Sequence, residues 1–501
     1  MVQLSTVLST FASTFASGAA MKLLHWSAAV FCTVTLLTGC DKLDHLQWSP
    51  DGKCLAVLSS DGLRVSDASG SLSKSIPMKL SIFRWLPDSK RALVVTTKQT
   101  TSWNEVKPLL SAAERTRTIT VADSLWKFRG DPEKWKYRDD DNVLDSLVYL
   151  DYKYGTTAVK ALLQKKSKKN VLPDTAPAAT IYTLQLVNLQ QDKAQLGPAL
   201  LRTRRELGDV RISSNGKLAA VTEDNSHNGY QVDVVPIEGG TSKIISACAS
   251  RCPDWSLDGK ALFYISPGNS ATENDPSTKK NDSGRLVLLA SLMRLDVTDA
   301  SGKVLAKFSK AQELAELPFS GSDRIRCLPD GSIILSSEQL KLPCTQKKFD
   351  QNKSLFKMSK DFQSLEPLPL SGDTLGNELG DFEINQDGTK AAVAGDHGEI
   401  TVVDLATGQV TALEPKGTDL KFLPQWRSAD ELCFPVRNHT KTTGGHDVEV
   451  GLQTLPLGTA HILSKDWPAK SITFLVDTKE STTKKTTPKN RTHSPAVPQK
   501  R

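Results

Sequence analysis

Leu46-Gln47-Trp48-Ser49-Pro50-Asp51-Gly52-Lys53 is followed at once by the apolar run Cys54 to Leu58. Pro presets φ for a turn, Asp bonds back to the backbone beyond it, and Gly takes the positive φ that few other residues tolerate. An Asp-Gly pair between two apolar runs is the strongest short-range hairpin signal a sequence carries. The stretch reads as a strand, a tight turn and a second strand.

The phrase recurs along the chain. Phe83-Arg84-Trp85-Leu86-Pro87-Asp88-Ser89-Lys90 leads into Arg91 to Val95, and Val210-Arg211-Ile212-Ser213-Ser214-Asn215-Gly216-Lys217 into Leu218 to Val221. Pro253-Asp254-Trp255-Ser256-Leu257-Asp258-Gly259-Lys260 leads into Ala261 to Ile265, and Ile325-Arg326-Cys327-Leu328-Pro329-Asp330-Gly331-Ser332 into Ile333 to Ser336. Phe382-Glu383-Ile384-Asn385-Gln386-Asp387-Gly388-Thr389 leads into Lys390 to Ala394. The last copy, Pro424 to Glu431, is degraded, yet Leu432 to Val436 still follows. Chance supplies one or two such phrases, not seven.

The closest copies stand 37 residues apart (Asp51 to Asp88) and 43 apart (Asn215 to Asp258, Asp387 to Asp430). That is the length of a four-stranded propeller blade. Third and fourth strands are clearest in Glu399 to Leu405 and Gln409 to Leu413, joined by Ala406-Thr407-Gly408. These residues resemble the TolB-type, WD-like propeller repeat over most of Leu46 to Ile462. The resemblance implies an all-β fold: a seven-bladed β-propeller of four-stranded antiparallel blades, with six or eight blades left open. Ile472 to Val476 reads as a further strand that helps to close the ring on the first blade. Function does not follow, because propellers host many unrelated tasks.

In such a blade the first turn lies on one face and the loop between strands two and three on the other. The Asp-Gly turns are short, so the excess sequence gathers on the second face: about 97–179 in blade two, then 266–284, 338–353 and 437–447. Loops on a rigid scaffold are where function is expected. The blade-two insert, 97–179, reads as a mainly helical subdomain from the spacing of Val143, Leu144, Leu147, Val148 and Leu150, with Val159 to Gln164 as a second helix. Its aromatic residues are dense. Trp126, Trp135, Tyr149 and Tyr152 are the candidate partner-binding residues, since Trp and Tyr carry much of the energy at interface hot spots. The competing reading makes them the insert's own core.

The N-terminal stretch sets the expected location. From Met21, taken as the true start, come Lys22, the apolar run Leu23 to Leu37, and Leu37-Thr38-Gly39-Cys40. About 15 apolar residues fall short of the roughly 20 that a bilayer needs, so residues 1–39 read as a cleaved signal. The motif resembles that of bacterial lipoproteins, which implies cleavage between Gly39 and Cys40 and acylation of Cys40, with palmitate among the acyl chains. Several acyl chains hold a protein durably on a membrane. Residues 40–477 would then face the periplasm or exterior as a monomeric propeller, and Asp41 favours the inner membrane.

Charge excludes one class of partner. Of the net +7, the tail 478–501 carries +6, and residues 40–477 are neutral overall, so nucleic acid is not expected. The tail, rich in Thr, Lys, Pro and Ser, should be disordered. Cys54, Cys248, Cys252, Cys327, Cys344 and Cys433 remain once Cys32 and Cys40 are set aside. They are an even number in a compartment that permits disulfides, with Cys248–Cys252 and Cys327–Cys344 nearest in sequence, or else small buried apolar residues. The sequence has no Gly-x-Ser-x-Gly elbow, phosphate loop or zinc spacing, so the expectation is no cofactor, no metal and no catalysis. The reading is a membrane-anchored envelope scaffold that binds a protein. The alternative is a metal-dependent polysaccharide lyase or hydrolase at the channel mouth, for which His227, His439 and His446 are the candidate ligands.

Overall fold

The computed structural model describes residues 45–59, 61–128, 143–164, 178–190, 193–224, 230–249, 253–267, 289–299, 301–318, 324–338, 353–372, 379–395, 400–413, 424–437, 448–455 and 461–468. They form seven antiparallel sheets, the blades of a β-propeller. Each phrase supplies strands one and two of its blade. In blade 1 these are Leu46–Trp48 and Cys54–Ser59, then Gly62–Asp67, with isolated bridges from Leu63 to Ile76 and Ser66 to Leu72 in place of a regular fourth strand. Blade 2 is Leu80–Trp85, Arg91–Thr100, Ala179–Gln190 and Lys193–Thr203; blade 3 is Leu207–Ile212, Leu218–Asp224, Tyr230–Pro236 and Lys243–Ala249. Blades 4 to 7 begin at Asp254, Ile325, Leu379 and Gln425, and blade 6 gains Ser371–Gly372 in parallel on its outer edge.

The turns follow the chemistry of the phrase. In blade 1 Ser49 Oγ donates to Asp51 Oδ1 at 2.7 Å, Asp51 Oδ1 accepts the Lys53 N–H at 3.2 Å, and Gly52 sits at φ 66°. The same serine or asparagine clasp recurs at Ser213–Asn215, Ser256–Asp258 and Asn385–Thr389. Alternation then does the rest. Apolar residues at every second position of a strand pack between blades, so the core is a series of interblade clusters rather than one central core. Ile82, Leu93, Leu184, Val210 and Val221 fill the space between blades 2 and 3; Leu328, Ile334, Phe382 and Val403 fill that between 5 and 6. Leu46, Trp48, Leu432, Phe434 and Trp467 join the last blade to the first.

The insert leaves blade 2 between strands two and three, whose pairing runs without a break from Arg91–Asn188 to Thr100–Ala179. It holds α1 (Trp103–Val106), α2 (Ala112–Lys127), α3 (Val143–Tyr154) and α4 (Thr156–Gln164). Ser111 and Glu114 close a capping box at the start of α2. Val121, Ala122, Leu125, Leu147, Leu150, Val159 and Leu162 form the insert's own core, while Trp103, Val106, Leu110 and Val148 pack it onto Ala179 of blade 2. No helix among the described residues is long and apolar enough to cross a membrane.

Candidate functional site

Strand one of each blade lines the central channel, and the second residue of each phrase faces into it. That residue is Gln47, Arg84, Arg211, Asp254, Arg326, Glu383 and Gln425 in turn. All seven are polar, whereas the residue after it is apolar in every copy. Period-two alternation explains the split: one face of the strand packs between blades and the other meets the channel.

Five of the seven are charged, and four of these, Arg84, Arg211, Arg326 and Glu383, bond to one another together with Asp209. Arg84 Nη2 meets Asp209 Oδ1 at 3.0 Å, and Arg211 Nε meets Asp209 Oδ2 at 3.3 Å. Arg326 grips Glu383 with Nη2 at 2.8 Å and Nε at 3.2 Å. Arg211 Nη2, from blade 3, reaches the same Glu383 Oε1, from blade 6, at 3.3 Å. Blades 3 and 6 are not neighbours, so this pair spans the channel. Asp254 accepts the backbone N–H of Cys327 at 2.8 Å and of Trp255 at 3.0 Å.

The electrostatics follow from this crowding. Burial pushes the Glu383 carboxyl up, but Arg326, Arg211 and Arg84 outweigh it and hold the group at about 2, so it is ionised at any physiological pH. Burial pushes the Asp254 carboxyl up against the pull of Arg211 and Arg326. The guanidiniums are also tied to the wall: Arg84 Nη1 donates to the Phe83 carbonyl at 2.9 Å and Arg326 Nη1 to the Ile325 carbonyl at 2.8 Å. The phrase tryptophans add a second ring. Trp85, Trp255 and Trp426 each donate the indole N–H to the channel-residue carbonyl of the preceding blade, at 2.9, 2.9 and 3.0 Å. Trp48 makes no such bond; its indole lies beside the Cys433 thiol, with Arg427 5.3 Å from its ring. The belt is a set of opposed ions that reaches across the channel and ties blades together.

The insert supplies the other candidate surface. Trp126 is half-buried and stacks on Tyr154, ring centroids 4.0 Å apart and planes at 4°. Tyr149 packs edge-on against Trp103 at 5.1 Å and belongs to both clusters of the insert. Among the described residues of the insert Tyr152 stands furthest into solvent of the aromatics, 63% exposed, with Leu144 at 45% and Tyr154 at 39%. Trp126 and Tyr149 are thus largely spent on packing, and Tyr152 is presented to solvent. Trp135, Gly39 and Cys40 lie outside the described residues, as do His227, His439, His446 and the strand read at 472–476.

His45 is half-buried, and the loss of water around its imidazole pushes it down to about 4, so it is neutral at pH 7. Among the described residues no three His, Cys, Asp or Glu side chains gather to hold a metal ion. The cysteine reading needs correction at Cys327, which is a free thiol and makes no bridge to Cys344. It sits on the wall against Asp254, where burial raises its pKa well above the usual range. Cys54 and Cys433 are also free, and burial pushes the Cys433 thiol up to about 12. The side chains of Cys248, Cys252 and Cys344 lie outside the described part.

No protein-family model and no curated protein matches the sequence. Solved propellers do. The chain is similar to TolB from Acinetobacter baumannii at 14% identity and TM-score 0.36, over 55% of this chain and 57% of that one. It is similar to oligogalacturonate lyase in complex with manganese at 11% identity and TM-score 0.38, covering 74% and 77% of the two chains. The β-propeller domain of the Trilobed protease from Pyrococcus furiosus is similar at 14% identity and TM-score 0.35, covering 59% and 78%. The match spans little more than half the length of the first of these. They include enzymes as well as TolB, and at such identities none of them assigns an activity.

Proposed function

We propose that the chain is a lipid-anchored protein of the cell envelope whose propeller holds a protein partner on its insert-bearing face. The observation that carries the reading is Tyr152, a large aromatic left 63% exposed on a subdomain whose root is packed onto a rigid scaffold. The motif Leu37 to Cys40 supplies the anchor in this reading, with acylation at the Cys40 sulfur. The channel belt supports it too, because opposed ions that bond to one another serve to stiffen the ring that carries the insert.

Two measurements test the two halves. Intact mass and palmitate labelling in a bacterium should show a wild-type protein that starts at Cys40 and is acylated, and a Cys40→Ala variant that stays unprocessed. If neither form is labelled, the anchor is lost from the proposal. A photocross-linking residue at Tyr152 should give an adduct with an envelope protein, while one at Leu257, equally exposed at 55% but on an Asp-Gly turn, should give none. Adducts at both sites or at neither would remove the partner surface.

A further inference from the structure

The connector between blades 2 and 3 carries two adjacent arginines that point to both sides of one junction. Arg204 Nε donates to Asp145 Oδ1 of α3 at 2.8 Å, and Arg205 Nη2 to Glu114 Oε1 of α2 at 2.8 Å. With the Lys98–Glu105 pair at 2.7 Å, which joins blade 2 to α1, these contacts tie the insert to the propeller. Arg205 also faces inward: its Nη1 donates to Gln231 Oε1 at 2.8 Å, and the Gln231 amide donates in turn to Asp233 Oδ2 at 2.8 Å. Beside it Thr203 Oγ1 donates to Glu223 Oε2 at 3.2 Å. Glu223, Asp233 and Asp145 are only 5%, 3% and 3% exposed.

Four carboxyls therefore share two guanidiniums: Glu223, Asp233 and Asp145 are shut off from water, while Arg205 and Glu114 stand at the rim with side chains 30% and 31% exposed. The groups facing Glu223 are Asp233 from the third strand of blade 3, Thr203 from the end of the last strand of blade 2, Arg205 from the connector, and Glu114 from α2. Burial first, and then the charge of Asp233, push the Glu223 carboxyl up to about 7 against the pull of Arg205 and Thr203. A buried excess of acid is relieved either by a proton or by bringing a cation closer. The nearest cation is Arg205, whose Nη2 is held by the insert.

We propose that the insert's hold on the propeller is governed by one proton on Glu223. While Glu223 is neutral, Arg205 is left to Glu114 and the first turn of α2 stays on the rim; when Glu223 ionises, Arg205 is drawn into blade 3 and that turn is released, while Val121, Ala122 and Leu125 stay packed in the insert's core. The root of the insert does not move, because Trp103, Val106, Leu110 and Val148 stay packed on Ala179. The released state binds the proton more weakly, so release grows as pH rises. If release returns Glu223 to its ordinary 4.5, the opening constant grows about tenfold between pH 6 and pH 8. The inference goes beyond the partner-binding reading and does not depend on it.

Hydrogen exchange of the full chain at pH 6 and pH 8, corrected for intrinsic exchange, tests this. Peptides from the first turn of α2 are compared with peptides from the blade 6 strand Lys390–Gly395. The opening constant of that turn should rise about tenfold in the wild type and stay level in Glu223→Gln, with blade 6 unchanged in both. A flat wild type, or a Glu223→Gln variant that keeps the rise, would overturn the proposal. Asp233→Asn provides an independent check should Glu223→Gln fail to fold. Removing that like charge should move the midpoint of release to lower pH, and an unmoved midpoint would also overturn the proposal.

Discussion

Ser89 stands at the place in its phrase that Gly52, Gly216, Gly259, Gly331 and Gly388 occupy in theirs, and it takes the same left-handed backbone, at φ 56°. A β-carbon is strained there, by roughly 1 kcal/mol or more. Ser89 recovers part of this through its exposed hydroxyl, which accepts the Asp51 N–H at 3.1 Å. Ser89→Gly is therefore expected to raise the unfolding free energy by about 0.5 kcal/mol in urea titration. Gly388→Ala should do the reverse. At φ 75° its added carbon would lie 2.4 Å from Pro329 Cδ, so a loss of about 2 kcal/mol is expected in the same titration. The turns were legible at this scale because an Asp-Gly pair acts on its own backbone within four residues.

The strand is the unit at which the channel belt becomes readable. The second residue of each phrase is polar in all seven copies, and that column is visible in the sequence once the phrases are aligned. Attention to the turn residues alone passes over it, because nothing local marks Arg84 or Glu383 as different from any charged strand residue. Glu383→Gln leaves Arg326 and Arg211 facing each other without their shared counter-ion. Removing one partner of a buried ion set typically destabilises by about 3–5 kcal/mol, and a loss of that order is expected in urea unfolding at pH 7. Helix α2 was also recoverable. Thr118, Val121, Ala122 and Leu125 are buried at helical spacing behind the Ser111–Glu114 box, but its polar composition hides a stripe that α3 shows plainly. The aromatics were ambiguous for a related reason, since a tyrosine's spacing does not say whether its ring turns inward, as at Tyr149, or outward, as at Tyr152.

At the scale of the whole ring, the question is what keeps blade 7 against blade 1. Among the described residues no strand crosses from one to the other, and side chains make the seam. Trp467 Nε1 donates to the Gly70 carbonyl at 2.8 Å and Arg427 Nε to the Gly52 carbonyl at 3.0 Å, and Gln386 Nε2, from the turn of blade 6, reaches across to the Pro50 carbonyl at 3.1 Å. Trp467 is 7% exposed and packs in the apolar cluster that joins the two blades. Trp467→Ala should lower stability by about 3–5 kcal/mol, the usual range for a buried aromatic. Hydrogen exchange should show the loss first in Gly62–Asp67 of blade 1, and a uniform change over all seven blades would place the seam elsewhere.

The sequence by itself determined the blade and pointed to seven copies of it, because a strand, a turn and a strand are fixed by alternation and by Pro, Asp and Gly acting over a few neighbouring positions; the closed ring settled the number. Tertiary structure decided which charges meet. Arg211 and Glu383 are 172 positions apart and pair only because the closed ring sets blade 3 opposite blade 6. It likewise decided that Arg205 would stand between an acid of the insert, 91 positions earlier, and the buried acids of blade 3. Ion pairing depends on distance through space and on the exclusion of water, and neither is written in any short stretch of chain.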